Sequence, residues 1–141
     1  MKSRMIRLTV LVLAVAFLPV LLHAQMLIKT PLFRVDVPFA FMAAGMHLPA
    51  GAYVVSHVDP YLIVIEEQNG KARAMVHVQV ENYNSSTPTK LVFNKYGDQY
   101  FLAQVWTEQD QQAHHCTKCR AEKLLAAQVR HAEETVVLAR R

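Results

Sequence analysis

Hydrophobic and polar positions alternate with a period of two along much of this chain, the mark of strands with one face buried and one wet. Residues 33–41 place Phe33, Val35, Val37, Phe39 and Phe41 against Arg34 and Asp36. Pro38 cannot donate to a ladder and confines the middle of that run to an edge or a bulge. At Leu48-Pro49-Ala50-Gly51-Ala52-Tyr53, proline presets φ and glycine permits a positive one, so the chain can reverse into a strand over 53–58. Asp59-Pro60 turns it again into a β-branched run over 61–66, and Asn69-Gly70 is a strong hairpin signal before a long returning strand over 71–82. There Val76, Val78 and Val80 point one way and His77, Gln79 and Glu81 the other. A second hairpin runs over 90–96, turns at Gly97-Asp98 and returns over 99–107. A two-residue turn pairs Phe93 with Leu102 and Val92 with Ala103. Both faces are then apolar, so this hairpin is expected at the centre of the core.

Two segments depart from period two. Residues 108–115 are polar and read as an irregular loop, after which the period lengthens to 3.6 and predicts a helix over about 118–134. Its apolar stripe holds Ala121, Leu124, Leu125, Val129 and Ala132, with Gln128 as the polar member. That stripe is expected to pack on the sheet. Residues 135–138 could add a closing strand. The pattern as a whole predicts a mainly β fold, an antiparallel β-sandwich or partly closed barrel with one C-terminal helix.

The first 24 residues follow neither rule. Lys2, Arg4 and Arg7 lead an apolar run that ends at Leu22-His23-Ala24, the basic start, apolar centre and small residue at the cut of a secretory signal peptide. The run is short for a membrane span, which wants about 20 apolar residues. Residues 1–24 are therefore read as a signal peptide and 25–141 as a single β-rich domain, periplasmic or extracellular, touching a membrane only through an uncleaved signal segment. Cleavage also changes the charge. The leader carries three of the 15 basic residues and none of the 11 acidic ones, which leaves 12 against 11. The pI of about 9.2 is thus no nucleic-acid footprint, because phosphate binding needs clustered Lys and Arg, and no nucleic-acid partner is expected.

Chemistry concentrates in His114-His115-Cys116-Thr117-Lys118-Cys119. Cys116 and Cys119 could form a local disulfide or remain inert thiols, as an oxidising compartment permits. Alternatively His114, His115, Cys116 and Cys119 could ligate zinc or copper, since imidazole and thiolate suit both ions. Cys-x-x-Cys at a helix start also fits thiol–disulfide exchange, although that motif belongs after a strand in a βαβ setting. Arg120 stands where a c-type haem motif requires His. Elsewhere Ser56 and His57 alternate in direction along a strand and cannot act as nucleophile and base. Glu66-Glu67 reads as a solvated turn flank and His77 as a surface residue. Tyr61, Tyr96, Tyr100 and Trp106 could line a groove, though strand aromatics are more often packing. Asn84-Ser85-Ser86 is a formal glycosylation acceptor. No catalytic residue, cofactor or partner is assigned.

Pro38-Phe39, Ala44-Gly45, the segment 48–53, Leu91-Val92-Phe93, the segment 96–102, Trp106 and Arg120-Ala121-Glu122-Lys123 resemble a family of small exported bacterial proteins of unknown function. The resemblance covers most of the mature chain and implies a signal peptide, a β-rich domain and a C-terminal helix. It implies no activity, ligand or catalytic residue. In that pattern a small polar residue is usual at position 119, so the cysteine pair is a departure. The expected role is a non-enzymatic binding or envelope-associated one; the alternative is a small metal-binding or thiol-redox protein.

Overall fold

The computed structural model describes residues 29–83, 86–129 and 131–140; the expected signal peptide and the Asn84-Ser85 part of the glycosylation acceptor lie outside the described residues. Strand β1 (Thr30–Val37) stops one residue before Pro38, whose missing N–H ends the ladder. Strands β2 (Phe41–Ala43) and β3 (Met46–Leu48) form a hairpin with Ala43 opposite Met46. Ala44 (φ 50°) and Gly45 (φ 82°) make its two-residue turn, and two positive φ values match the twist of the flanking strands. Strands β4 (Gly51–Asp59), β5 (Leu62–Glu67) and β6 (Arg73–Asn82) follow as an antiparallel meander. Asn69-Gly70 does turn the chain, inside a four-residue loop closed by the Glu67 N–H donating to the Ala72 carbonyl at 2.7 Å.

Strands β7 (Lys90–Tyr96) and β8 (Gln99–Thr107) form the expected second hairpin, with Tyr96 opposite Gln99 and Phe93 opposite Leu102. One pairing differs. A bulge shifts the register between Val92 and Phe93, so Val92 faces Gln104 and Ala103 is the extra residue. The segment expected as an irregular loop contains β9 (Gln112–Cys116), paired with both β6 and β8. Its polar composition hid a strand because His114 takes an apolar position, opposite Val80 on one side and Val105 on the other. Helix α1 (Arg120–Gln128) is shorter than expected, ending as Val129 turns extended. Residues beyond it are claimed by β10 (Glu133–Leu138), which pairs with β7 over its whole length. Tertiary pairing overrides helical propensity there.

The ten strands among the described residues make one sheet. β1, β4, β5, β6, β9, β8, β7 and β10 are joined in that order by antiparallel pairs, while β2 meets β8 in parallel at Met42 and Phe101 and carries β3. The sheet doubles over without closing into a barrel. Phe41 of β2 meets Tyr53 of β4 at 5.3 Å and Phe93 of β7 at 5.2 Å, both edge to face, which ties the two halves into one core. Val78, Phe93 and Leu102 are buried in it. Past β10, the Arg140 N–H donates to the Arg34 carbonyl at 2.9 Å, and its guanidinium meets Asp36 at 2.6 Å. Helix α1 does not bury its apolar stripe: Leu124 is 60 % exposed, and the helical residue facing the sheet is Glu122, 2 % exposed. Asn94 Nδ2 donates to Glu122 Oε1 at 2.9 Å, with the Tyr96 hydroxyl at 3.5 Å. A buried carboxyl group is tolerated where hydrogen bonds meet it, and these two bonds orient the helix.

Candidate functional site: a histidine-floored cleft

Two chain reversals meet at one end of the folded sheet. Between β4 and β5, the Tyr61 N–H donates to Asp59 Oδ1 at 2.7 Å, an Asx turn that holds the carboxylate in place. Between β8 and β9, Gln111 takes a positive φ of 50°, and its N–H donates to the Glu108 carbonyl. Asp110 sits on this second turn, and Gln112 opens β9. The two turns and Val80 of β6 bound a cleft of about 410 Å³, with His57 at its floor and Asp59, Pro60 and Tyr61 on one wall.

His57 follows Tyr53 and Val55 on the inward face of β4, and a bulge after it separates it from Asp59. Behind it lies His114 of β9, fully buried. The rings stand edge to face with centroids 4.8 Å apart. His57 Nε2 and both ring nitrogens of His114 are buried with no hydrogen-bond partner among the described residues. Burial pushes the His114 pKa down to about 4; His57 and His115 add to the fall and Asp110 opposes it. His57 is also lowered by burial, against the pull of Asp110 and Asp59. Both rings are thus neutral at pH 7, each with one N–H donor and one bare nitrogen acceptor. An unmet buried polar group costs about 1–3 kcal/mol, so these nitrogens set the His57–His114 pair apart from the apolar core around it.

The cluster expected from sequence is spread over two faces. His114 points inward, whereas His115 points outward, with Nε2 3.1 Å from Glu81 Oε2. Cys116 packs against the core, and burial, then the nearby Glu122, pushes its thiol up to about 12. Such a thiol is a poor nucleophile. Cys119 is the N-cap residue of α1 and makes no side-chain cap bond; both cysteines are free thiols in this structure. Among the described residues, no three His, Cys, Asp or Glu side chains are grouped to share a metal ion.

Of the four aromatic candidates, Tyr61 alone lines the cleft. Tyr96 is buried beneath α1, Tyr100 stacks on Phe39 at 3.9 Å, and Trp106 leans on Tyr83 with Lys90 above it at 5.0 Å. The residues that sequence reasoning missed as a site are His57, Asp59, Asp110 and Gln112. His57 carried a signal, because it shares the parity of Tyr53 and Val55. Asp110 carried none, because only the pairing of β9 with β6 brings it near. A second hollow, of about 440 Å³ beside Thr89 and Leu138, offers Arg140, a cation already paired with Asp36. Comparison with known protein families, curated proteins and solved structures yields no match. No helix among the described residues is long and apolar enough to cross a membrane.

Proposed function

We propose that this chain is an exported, non-enzymatic binding protein whose ligand enters the cleft lined by His57. One observation carries the reading: His57 lines a cavity bounded by two turns, and its Nε2, like both ring nitrogens of His114 packed against it, is buried without a partner among the described residues. Convergent polar groups in a formed concavity are the usual signature of a binding site. The basic start, apolar run and Ala24 support export. A metal-binding or thiol-redox role for His114, His115, Cys116 and Cys119 draws less support, since neighbours on a strand diverge and the Cys116 thiol is held protonated.

The direct test is a thermal-shift screen of cationic, neutral and anionic small molecules against the wild type and a His57→Ala variant. A ligand that raises the wild-type melting temperature and leaves the variant unmoved is the expected result. Hits that stabilise both equally would place the ligand elsewhere. Terminal sequencing of exported protein is expected to find a start at or near Gln25. Retention of Met1 would overturn the processing step and leave the cleft untouched.

A further inference from the structure

His57 is half-buried and lines the cleft, while its Nε2 is sealed from water without a partner among the described residues. Its ring meets that of the fully buried His114 at 4.8 Å, the two planes crossing at 81°. β4 pairs with β1 and β5, and β9 with β6 and β8. No backbone ladder joins the two histidines, so their contact can part without breaking one. The β4–β5 ladder is itself interrupted just past His57, by the bulge before Asp59. The titratable groups acting on the pair are Asp59 past that bulge, Asp110 on the β8–β9 turn and His115 on the outer face of β9. The strand partners of His57 are Thr30 and Ile63, and those of His114 are Val80 and Val105, none of them titratable.

We infer that His57 is an acid-operated latch: neutral, its ring seals His114 from the cleft; protonated, it leaves His114 for the carboxylates of Asp59 and Asp110 and opens a path for water between them. As regulation of a binding site this rests on the role proposed above; the movement of the ring does not. A charged ring cannot stay where it is, because a buried ion needs a partner. His114 is a poor one. An edge-to-face pair aims the edge of one ring at the face of the other, whereas the lone pair that would accept a hydrogen bond lies in the ring plane. Asp59 and Asp110 line the cleft together with His57, and the Asx bond occupies only one oxygen of Asp59. Bonds from an imidazolium to a carboxylate are charge-assisted and favour the charged ring. The cleft, at about 410 Å³, gives that ring space to turn. His57 takes the proton before His114, because two carboxylates act on it and only one acts on its buried neighbour.

The ring contact is read directly by NMR as the purified protein is titrated downward from about pH 8 through the histidine range. The cross-ring NOE between His57 and His114 is expected to vanish with the same midpoint at which His57 protonates, while Phe93 keeps its contacts with Phe39 and Phe41. In the double variant Asp59→Asn, Asp110→Asn that midpoint should fall by about half a pH unit or more, the scale of two exposed charge pairs. A NOE that persists once His57 is charged would overturn the latch, since the proton would then be held within the pair. Loss of the NOE together with the Phe93 contacts would also overturn it, because acid would then be acting on the whole fold. An unmoved midpoint in the double variant would remove the carboxylates from the mechanism and the latch with them. A blank ligand screen at neutral pH would sink the binding role and leave the latch standing; a persistent ring contact would do the reverse.

Discussion

At the scale of single residues, His114 makes the sharpest claim. Its pKa is about 4 in the folded protein and ~6.5 when unfolded. Between those values the unfolded chain binds the proton and the folded one does not, so stability rises with pH across that window and the penalty is fully developed below pH 4. Acidification from about pH 6.5 to 4 should therefore cost up to about 3 kcal/mol through this group, at ~1.4 kcal/mol per unit. The titratable groups that act on it are His57 from β4, Asp110 from the β8–β9 turn and, from the opposite face of its own strand, His115. His57 titrates in the same direction. Chemical denaturation at several pH values checks the slope, and His114→Phe, which removes the titrating nitrogens, should flatten it. An unchanged slope in that variant would assign the acid sensitivity elsewhere. Glu122 gives a second test. Replacing Asn94 by Ala removes its shorter hydrogen bond, and a buried carboxyl left short of a donor should cost about 1–3 kcal/mol. Substitution by Gln at position 122, which keeps the shape, should cost less than that.

Elements were legible where side-chain parity and turn chemistry agree. The hairpin of β7 and β8 follows from Gly97-Asp98 and the apolar residues around Phe93, and on β6 Val76 and Val78 are buried as their alternation predicts, with Val80 half-buried at the cleft. Phe93→Ala should accordingly lower stability by about 3–5 kcal/mol, since the ring is fully buried between Phe39 and Phe41. A melting temperature equal to the wild type would place that ring outside the core. The illegible elements share one cause: their identity is decided by a distant strand. β9 reads as polar because its buried residues are Ala113 and a histidine, and it becomes a strand only between β6 and β8. The helix runs out of residues because β7 claims 133–138, and its inward face is set by Asn94 and Tyr96 and not by its own stripe. The candidate site falls in the same class. His57 and His114 are 57 positions apart in sequence, and no local pattern joins them.

For the whole molecule, an open sheet must protect its edges, because a strand with unpaired N–H and C=O groups is a template for another chain. Here β10 covers β7, whose other side is taken by β8, so the central hairpin has no free edge. β10 can do this while remaining largely exposed, with Val136 at 46 % and Leu138 at 61 %, because its contribution is backbone pairing more than core burial. Its far end is tied to β1 through Arg140, the link that brings the two ends of the sheet together. Removing everything beyond residue 129 should leave the Phe93 core and helix α1 in the chain but expose the full length of β7. The expected outcome is a less stable protein that associates with rising concentration, measured by size-exclusion chromatography with light scattering beside a denaturant titration. Restoring β10 as a separate peptide spanning 131–140 should reverse the association, since the peptide would pair where the strand did. A truncated protein that stays monomeric and melts with the wild type would mean that β7 protects itself. The cleft is the control: His57 and His114 lie in β4 and β9, neither of which pairs with β10, so their NMR signals should persist in the truncated chain so long as the core stays folded.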